Sequence, residues 1–316
     1  MLVRRAVLPP LVALAATLAL TACGSESPAP TEPAAGAPVA GAPIPVVAST
    51  NVYGSVVEAV GGDAVEVVSI IDSPDADPHE YETTPADALA VNDAQLVVYN
   101  GADYDPFADQ LVEAADTAPT AINVSELSGL EADVPEGEEF NEHVWYSLPT
   151  IKLLAEQVAT DLGAADPARA STFTTNAADF TASIDGLLAQ LDEIKAAHEG
   201  ERIAITEPVP VYVIEAAGLV NATPEEFAEA VEEGQDAPAA VVAETLALFQ
   251  GPDPVRALVA NTQVEDAATR QVADAATAGG VPIVQVTETL AEGSPDYVTW
   301  MTQQIDALGA ALDGSA

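Results

Sequence analysis

From residue 46 onward, short runs of β-branched and apolar residues alternate with longer stretches whose apolar positions recur every three or four residues. The short runs predict strands at Val46–Ser49, Ala64–Ile71, Gln95–Tyr99, Thr120–Val124, Arg202–Thr206, Arg256–Ala260 and Pro282–Thr287. Most are apolar on both faces, as strands of a parallel sheet covered by helices are. Helical spacing falls between them, at Val52–Val60, Pro85–Val91 with Thr84 as N-cap, Pro106–Ala115, Pro224–Glu232, Ala239–Phe249 and Asp266–Ala276. Repeated β–α alternation predicts an α/β fold with mainly parallel sheets flanked by helices. One segment, Pro167 to His198, breaks the alternation. Phe173, Phe180, Ile184, Leu187, Leu191 and Ile194 share one face of a single helix there. At 1.5 Å per residue that helix reaches about 45 Å, long for one compact domain. It divides the chain into two lobes, 46–166 and 199–316, joined by a rigid connector at 167–198, with a cleft where they meet. No residue-level repeat links the halves.

The first 22 residues read differently. Arg4 and Arg5 precede an apolar run from Ala6 to Leu20, which is too short to span a bilayer and carries Pro9 and Pro10. That is the pattern of a secretory signal. It ends in Leu20-Thr21-Ala22-Cys23-Gly24, which resembles a bacterial lipobox. Cys23 is then the lipid attachment site, and the chain is tethered outside the cytoplasmic membrane. The alternative is an ordinary signal peptide followed by a chance cysteine. Residues 23–45 are small residues, prolines and a few charges that cannot bury a core, so they read as a spacer. Cys23 is the only cysteine, which leaves no disulfide framework and no thiolate metal cluster.

Charge narrows the partners. The chain has 51 acidic and 8 basic side chains, a net charge of −43, and no Lys or Arg between Arg5 and Lys152. Such a surface repels phosphate, which excludes nucleic acid and argues against electrostatic docking on anionic lipid. At 49% hydrophobic residues it is nonetheless a folding sequence.

Candidate chemistry centres on two of the three histidines. His198 closes the long helix, where the negative end of the helix dipole favours it, and reads as structural. His79 lies in Asp77-Pro78-His79-Glu80-Tyr81, one loop beyond a strand end. His143 lies in Asn141-Glu142-His143-Val144-Trp145, after an acidic loop from Glu131. Glu207 and Glu288 each directly follow a strand, where open α/β sheets bind their ligands. Two imidazoles and two carboxylates from both lobes suit a divalent first-row metal. From these residues alone, solvated or hydrogen-bonded histidines and ordinary surface carboxylates are the leading description, and the four-ligand site is the alternative.

The same segments resemble the zinc- and manganese-binding solute-binding proteins of bacterial ABC importers. DPHEYETTP at Asp77–Pro85 is similar to the family's first ligand loop, and Tyr99-Asn100-Gly101-Ala102 to the Asn-Gly turn that follows. Glu142-His143-Val144-Trp145 resembles the second ligand loop, with Glu142 where a proline is usual. Thr206-Glu207 through Val211-Tyr212 to Gly218-Leu219 keeps the register of the third, and Val286-Thr287-Glu288-Thr289-Leu290 that of the fourth. The resemblance implies two lobes on a rigid helix, with a metal ion held between them by His79, His143, Glu207 and Glu288. It implies a monomeric lipoprotein that delivers Zn²⁺ or Mn²⁺ to a membrane permease and its ATPase, not an enzyme.

Glu207 stands where zinc-type members commonly have histidine, and no His-rich loop is present. Carboxylate donors shift weight towards Mn²⁺, although Zn²⁺ also accepts such a set. The acidic loop Glu131–Glu142 reads either as a weak cation collector or as a solvated turn. Trp145, Tyr297 and Trp300 are expected near the ligands, packing there or shielding them. Two other functions use the same residues. An exported metallohydrolase would need three protein ligands, an exchangeable water and a general base, and no H-E-x-x-H motif supplies them. A surface adhesin would carry the metal incidentally.

Overall fold

The computed structural model describes residues 41–73, 81–135, 139–291 and 293–314. The leader, Cys23, most of the spacer and His79 lie outside the described residues.

The first half opens with strand β1 (Ile44–Thr50), which runs straight into helix α1 (Asn51–Gly61) and then β2 (Val65–Ile71). Helix α2 (Pro85–Asp93) starts from a capping box: the Thr84 side chain accepts from the Asp87 N–H and the Asp87 carboxylate accepts from the Thr84 N–H. Strand β3 (Leu96–Tyr99), helix α3 (Pro106–Ala114), strand β4 (Thr120–Asn123) and the short helix α4 (Val124–Ser128) complete this half.

Two long helices follow. Helix α5 (Leu148–Ala165) is capped by Ser147, whose hydroxyl accepts from the Thr150 N–H. Asp166 and Pro167 separate it from α6 (Ala170–His198), 29 residues or about 44 Å long. The second half is β5 (Arg202–Ile205), α7 (Val211–Ala216), β6 (Val220–Asn221), α8 (Glu225–Glu232), α9 (Ala239–Ala247), β7 (Leu258–Asn261), α10 (Ala267–Gly279), β8 (Ile283–Val286) and α11 (Tyr297–Leu312).

The two halves share one topology. The first sheet has order β2-β1-β3-β4 and the second β6-β5-β7-β8, with every paired neighbour parallel. In each, the strand order reverses beside the half's first strand, and the crevice at the carboxyl ends of such strands is where open α/β sheets take ligands. The pattern reading anticipates seven of these eight strands within two residues at either end. β6 is absent from it because two exposed residues carry no periodicity.

Alternate strand residues feed different cores. Val46, Ala48, Leu96, Val98, Ile203, Ile205, Ala257 and Val259 belong to one continuous apolar cluster that crosses from the first half to the second. Their neighbours Val47, Val97 and Tyr99 face a separate outer cluster under α2 and α3, while Ala204 and Leu258 face another that includes Phe227 and Val272. Both faces of each sheet are thus covered, which is why the strands read as unbroken apolar runs. The central cluster is threaded by α6, whose Phe173, Ala177, Phe180, Ile184, Leu187 and Leu191 are buried. Helix α11 closes it from the second half, and its Tyr297 N–H donates to Ser55 Oγ on α1 at 2.9 Å.

Candidate metal centre

Glu207 and Glu288 follow strands, Glu232 ends a helix, and His143 sits on the loop before the turn Val144–Tyr146. Glu207 follows Thr206 at the carboxyl end of β5, with Thr206 held there by its N–H to Val259 O (3.1 Å) and by its hydroxyl, which accepts from the Asn261 N–H (3.0 Å). Glu288 follows β8. Asn261 Nδ2 donates to its Oε1 at 2.8 Å, and the Tyr104 hydroxyl of the first half donates to its Oε2 at 3.2 Å. Both carboxylates are buried, at 2% and 6% exposure.

Tyr104 arrives on a strained turn. Gly101, Ala102 and Asp103 are successively left-handed, with φ of 77°, 53° and 62°. Glycine is required at the first of them: besides its positive φ, a Cβ there would meet the Asn123 side chain at 2.3 Å. The turn is clamped by the buried Asp105 carboxylate, which accepts from the N–H groups of Asn100 (2.7 Å) and Gly101 (2.8 Å). Burial pushes Asp105 up to about 6 even though these donors oppose the shift. Asn100 passes the constraint on: it accepts from the Tyr53 hydroxyl and its Nδ2 donates to Glu142 O at 3.0 Å, pinning the loop that carries His143.

His143 is 1% exposed and oriented by its neighbours. Its Nδ1 stands 2.7 Å from Asn141 Oδ1, while Asn141 Nδ2 donates to Pro208 O at 3.1 Å in the second half. That second bond fixes which Asn141 atom is the oxygen, so Nδ1 carries the proton and Nε2 is the nitrogen available to a metal. The Tyr212 hydroxyl donates to Asn141 O at 2.6 Å, tying the same loop to α7. Trp145 packs against the imidazole with ring centroids 5.0 Å apart and against Tyr104 at 4.4 Å. Tyr297 supports it from α11, its hydroxyl donating to Trp145 O at 2.6 Å, and Trp300 packs edge-on to Tyr146. Trp145 therefore walls the imidazole directly, whereas Tyr297 and Trp300 pack behind it.

Nε2 of His143 lies 3.2 Å from Oε1 of Glu232, the last residue of α8, which is 15% exposed. Among the described residues, Glu142, His143 and Glu232 are the one set of three whose candidate ligand atoms all lie within 4.8 Å of one another. Glu207 and Glu288 stand close enough to Glu232 to act on its charge. Burial is the main cause that pushes Glu232 up to about 9, and the carboxylates of Glu142, Glu207 and Glu288 add to it. Glu142 is raised as well, chiefly by burial. The Tyr104 phenol, held up by burial and by Glu288, stays protonated as a donor.

Five predicted or neighbouring donors thus gather around one space: His143, Glu207 and Glu288, with Glu142 and Glu232 beside them. Glu232 is not foreseen by the sequence reading. It belongs to an acidic run, Glu225, Glu226, Glu229, Glu232 and Glu233, that reads as a solvated helix face. The available signal was its position immediately after Val231, on the flank that buries Phe227 and Ala228. His198, by contrast, bridges Glu201 (3.2 Å) and Asp313 (3.1 Å) at the far end of α6, in line with a structural role.

No Lys or Arg ion pair among the described residues reaches this space. Those of Lys152, Arg169, Arg202, Arg256 and Arg270 all join other carboxylates. Buried carboxylates are stabilised by hydrogen bonds, by protons or by a bound cation.

Comparison with known proteins follows the same lines. The family described as zinc-uptake complex component A, periplasmic, matches residues 46–311. The manganese-binding lipoprotein MntA of Bacillus subtilis (strain 168) is 27% identical over 169 residues, 53% of this chain and about half, 52%, of that relative. In fold, the periplasmic zinc binding protein TroA of Treponema pallidum superimposes with a TM-score of 0.72 at 21% identity, covering 86% of this chain and 99% of that one. FpvC of Pseudomonas aeruginosa, solved in complex with Mn²⁺, gives 0.69 at 21% identity over 87% and 100%. With the two four-stranded parallel sheets, the long helix and the family match across both lobes, the chain belongs to the zinc-uptake component A (ZnuA) family of metal-binding proteins.

Proposed function

We propose that the protein captures a divalent transition metal, Zn²⁺ or Mn²⁺, outside the cytoplasmic membrane and hands it to the permease and ATPase of an ABC importer. The observation that carries this reading is a buried imidazole, His143, 3.2 Å from the Glu232 carboxylate and beside Glu142, with the buried carboxylates of Glu207 and Glu288 near enough to act on Glu232. Imidazole nitrogen and carboxylate oxygens converging in this way suit a divalent first-row ion. The proposed ligands are His143 from the first half, Glu207 and Glu288 from the second, and His79. Two carboxylates neutralise the ion's charge, and four or more protein ligands leave no position for a reacting water, which is the arrangement for holding a metal and not for activating water. No enzymatic step belongs to this reading.

The oxygen-rich donor set supports manganese over zinc as the preferred cargo. The name of the MntA relative is in keeping with that choice, and the TroA and FpvC names span both metals. The net charge of −43 supports capture by raising the local concentration of cations at the surface. A lipid on Cys23 and the spacer behind it would keep the protein beside its permease.

Titration calorimetry of the metal-free protein tests the site. His143→Ala and Glu207→Ala should each weaken Mn²⁺ and Zn²⁺ binding by at least about tenfold, the scale on which ligand and supporting residues act. Far-UV circular dichroism should be unchanged. Wild-type affinity in both variants would remove these residues from the site.

A further inference from the structure

Glu232 lies outside the four positions that resemble the family's ligands, yet it makes the shortest contact of any carboxylate in the cluster with the His143 ring. Its Oε1 is 3.2 Å from Nε2, the nitrogen left for a metal once Nδ1 is committed to Asn141. With Glu142 it completes the set whose ligand atoms lie within 4.8 Å of one another. With bonds of about 2.1–2.2 Å, adjacent ligands of one ion stand roughly 3.0–3.6 Å apart and opposite ones roughly 4.2–4.4 Å, so the 3.2 Å contact has the spacing of neighbouring ligands and the set as a whole needs a contraction of about half an ångström at most.

Helix α8 makes the position firm. Phe227, Ala228 and Val231 are buried in the second half, so the last residue of the helix is held by packing and not by a loose loop. Cluster and helix together distinguish Glu232 from the exposed acids earlier in the same run.

We propose that Glu232 is a fifth protein ligand of the transported ion, delivered by α8, which occupies the metal-facing nitrogen of His143 before the ion arrives and binds the ion afterwards. The proposal rests on the metal-capture reading above. A further carboxylate adds a hard oxygen donor and a higher coordination number, both of which suit Mn²⁺ more than a four-coordinate Zn²⁺.

The test compares Glu232→Gln, Glu232→Asp, His143→Ala and Glu207→Ala in the full metal-free chain, titrated separately with Mn²⁺ and Zn²⁺. Glu232→Gln should weaken Mn²⁺ binding by about tenfold or more and Zn²⁺ binding by less. Glu232→Asp, which keeps the charge, should fall between it and wild type. The electron paramagnetic resonance spectrum of bound Mn²⁺ should change in Glu232→Gln, a readout that loss of a merely structural contact would not move. Mn²⁺ affinity within twofold of wild type, or higher, in Glu232→Gln would overturn the fifth ligand. If His143→Ala and Glu207→Ala lose affinity in that case, the capture site itself stands. Loss confined to the Glu232 variants would overturn the ligand set drawn from the family positions and, with it, the place of Glu232 as a fifth ligand beside His143.

Discussion

His143 can offer a metal only one nitrogen, because Asn141 holds the other, and that nitrogen already faces Glu232. Loading therefore displaces protons. Glu232 is raised to about 9 in the metal-free protein, so at neutral pH it keeps its proton, and a bound dication favours its ionised form. A group whose proton is expelled by the ligand makes affinity rise with pH until that group is ionised without the ligand's help. Metal affinity should therefore keep rising from pH 5 to about 9, and not level off near pH 6.5 as imidazole alone would dictate. Calorimetry in buffers of different ionisation enthalpy should count about one proton released per ion at pH 7.5. Release of none would contradict the displacement. What sequence can reveal of such a site is limited by the same chemistry. Glu207 and Glu288 are conspicuous because they follow strands, and His143 because histidine is scarce. Glu142 and Glu232 differ from dozens of other acids only in what surrounds them after folding.

Among the elements, α6 carries the most of the fold. Its apolar positions repeat at three and four residues, and the five of them from Phe173 to Leu191 named in the sequence reading are buried, with Ile194 partly so. Leu187→Ala would open a cavity where the helix meets the shared core, at a cost of about 2–5 kcal/mol. Denaturant titration should show that loss as a lower midpoint at an unchanged slope, with metal affinity of the folded protein intact. A loss under about 1 kcal/mol would mean that the helix is dispensable to the core. The strands were legible for the reason that makes them stable: each is covered on both faces. Helix α5 carries as clear a signal, with a Ser147 cap and apolar residues at 148, 151, 154, 155, 158 and 162, yet the alternation of strand and helix leaves no place for two helices in succession. The short α4 and α7 are set by tertiary packing, which a periodicity of one turn cannot foretell.

The whole molecule combines an acidic exterior with a core common to both halves. A net charge of −43 raises the local concentration of cations at the surface and disfavours contact with anionic headgroups. Under the proposed anchoring, retention at the membrane comes from a lipid on Cys23. Cys23→Ala should release the protein into the medium of growing cells, and fractionation that still finds it with the membrane would refute the anchor. The apolar cluster running from Ile44 to Leu312 has a different effect. It joins residues of both sheets with those of α1, α5, α6 and α11 in one continuous core. Cut the chain between β4 and β5 and each fragment exposes apolar surface that the other now covers, so the two halves should fold and melt as one cooperative unit.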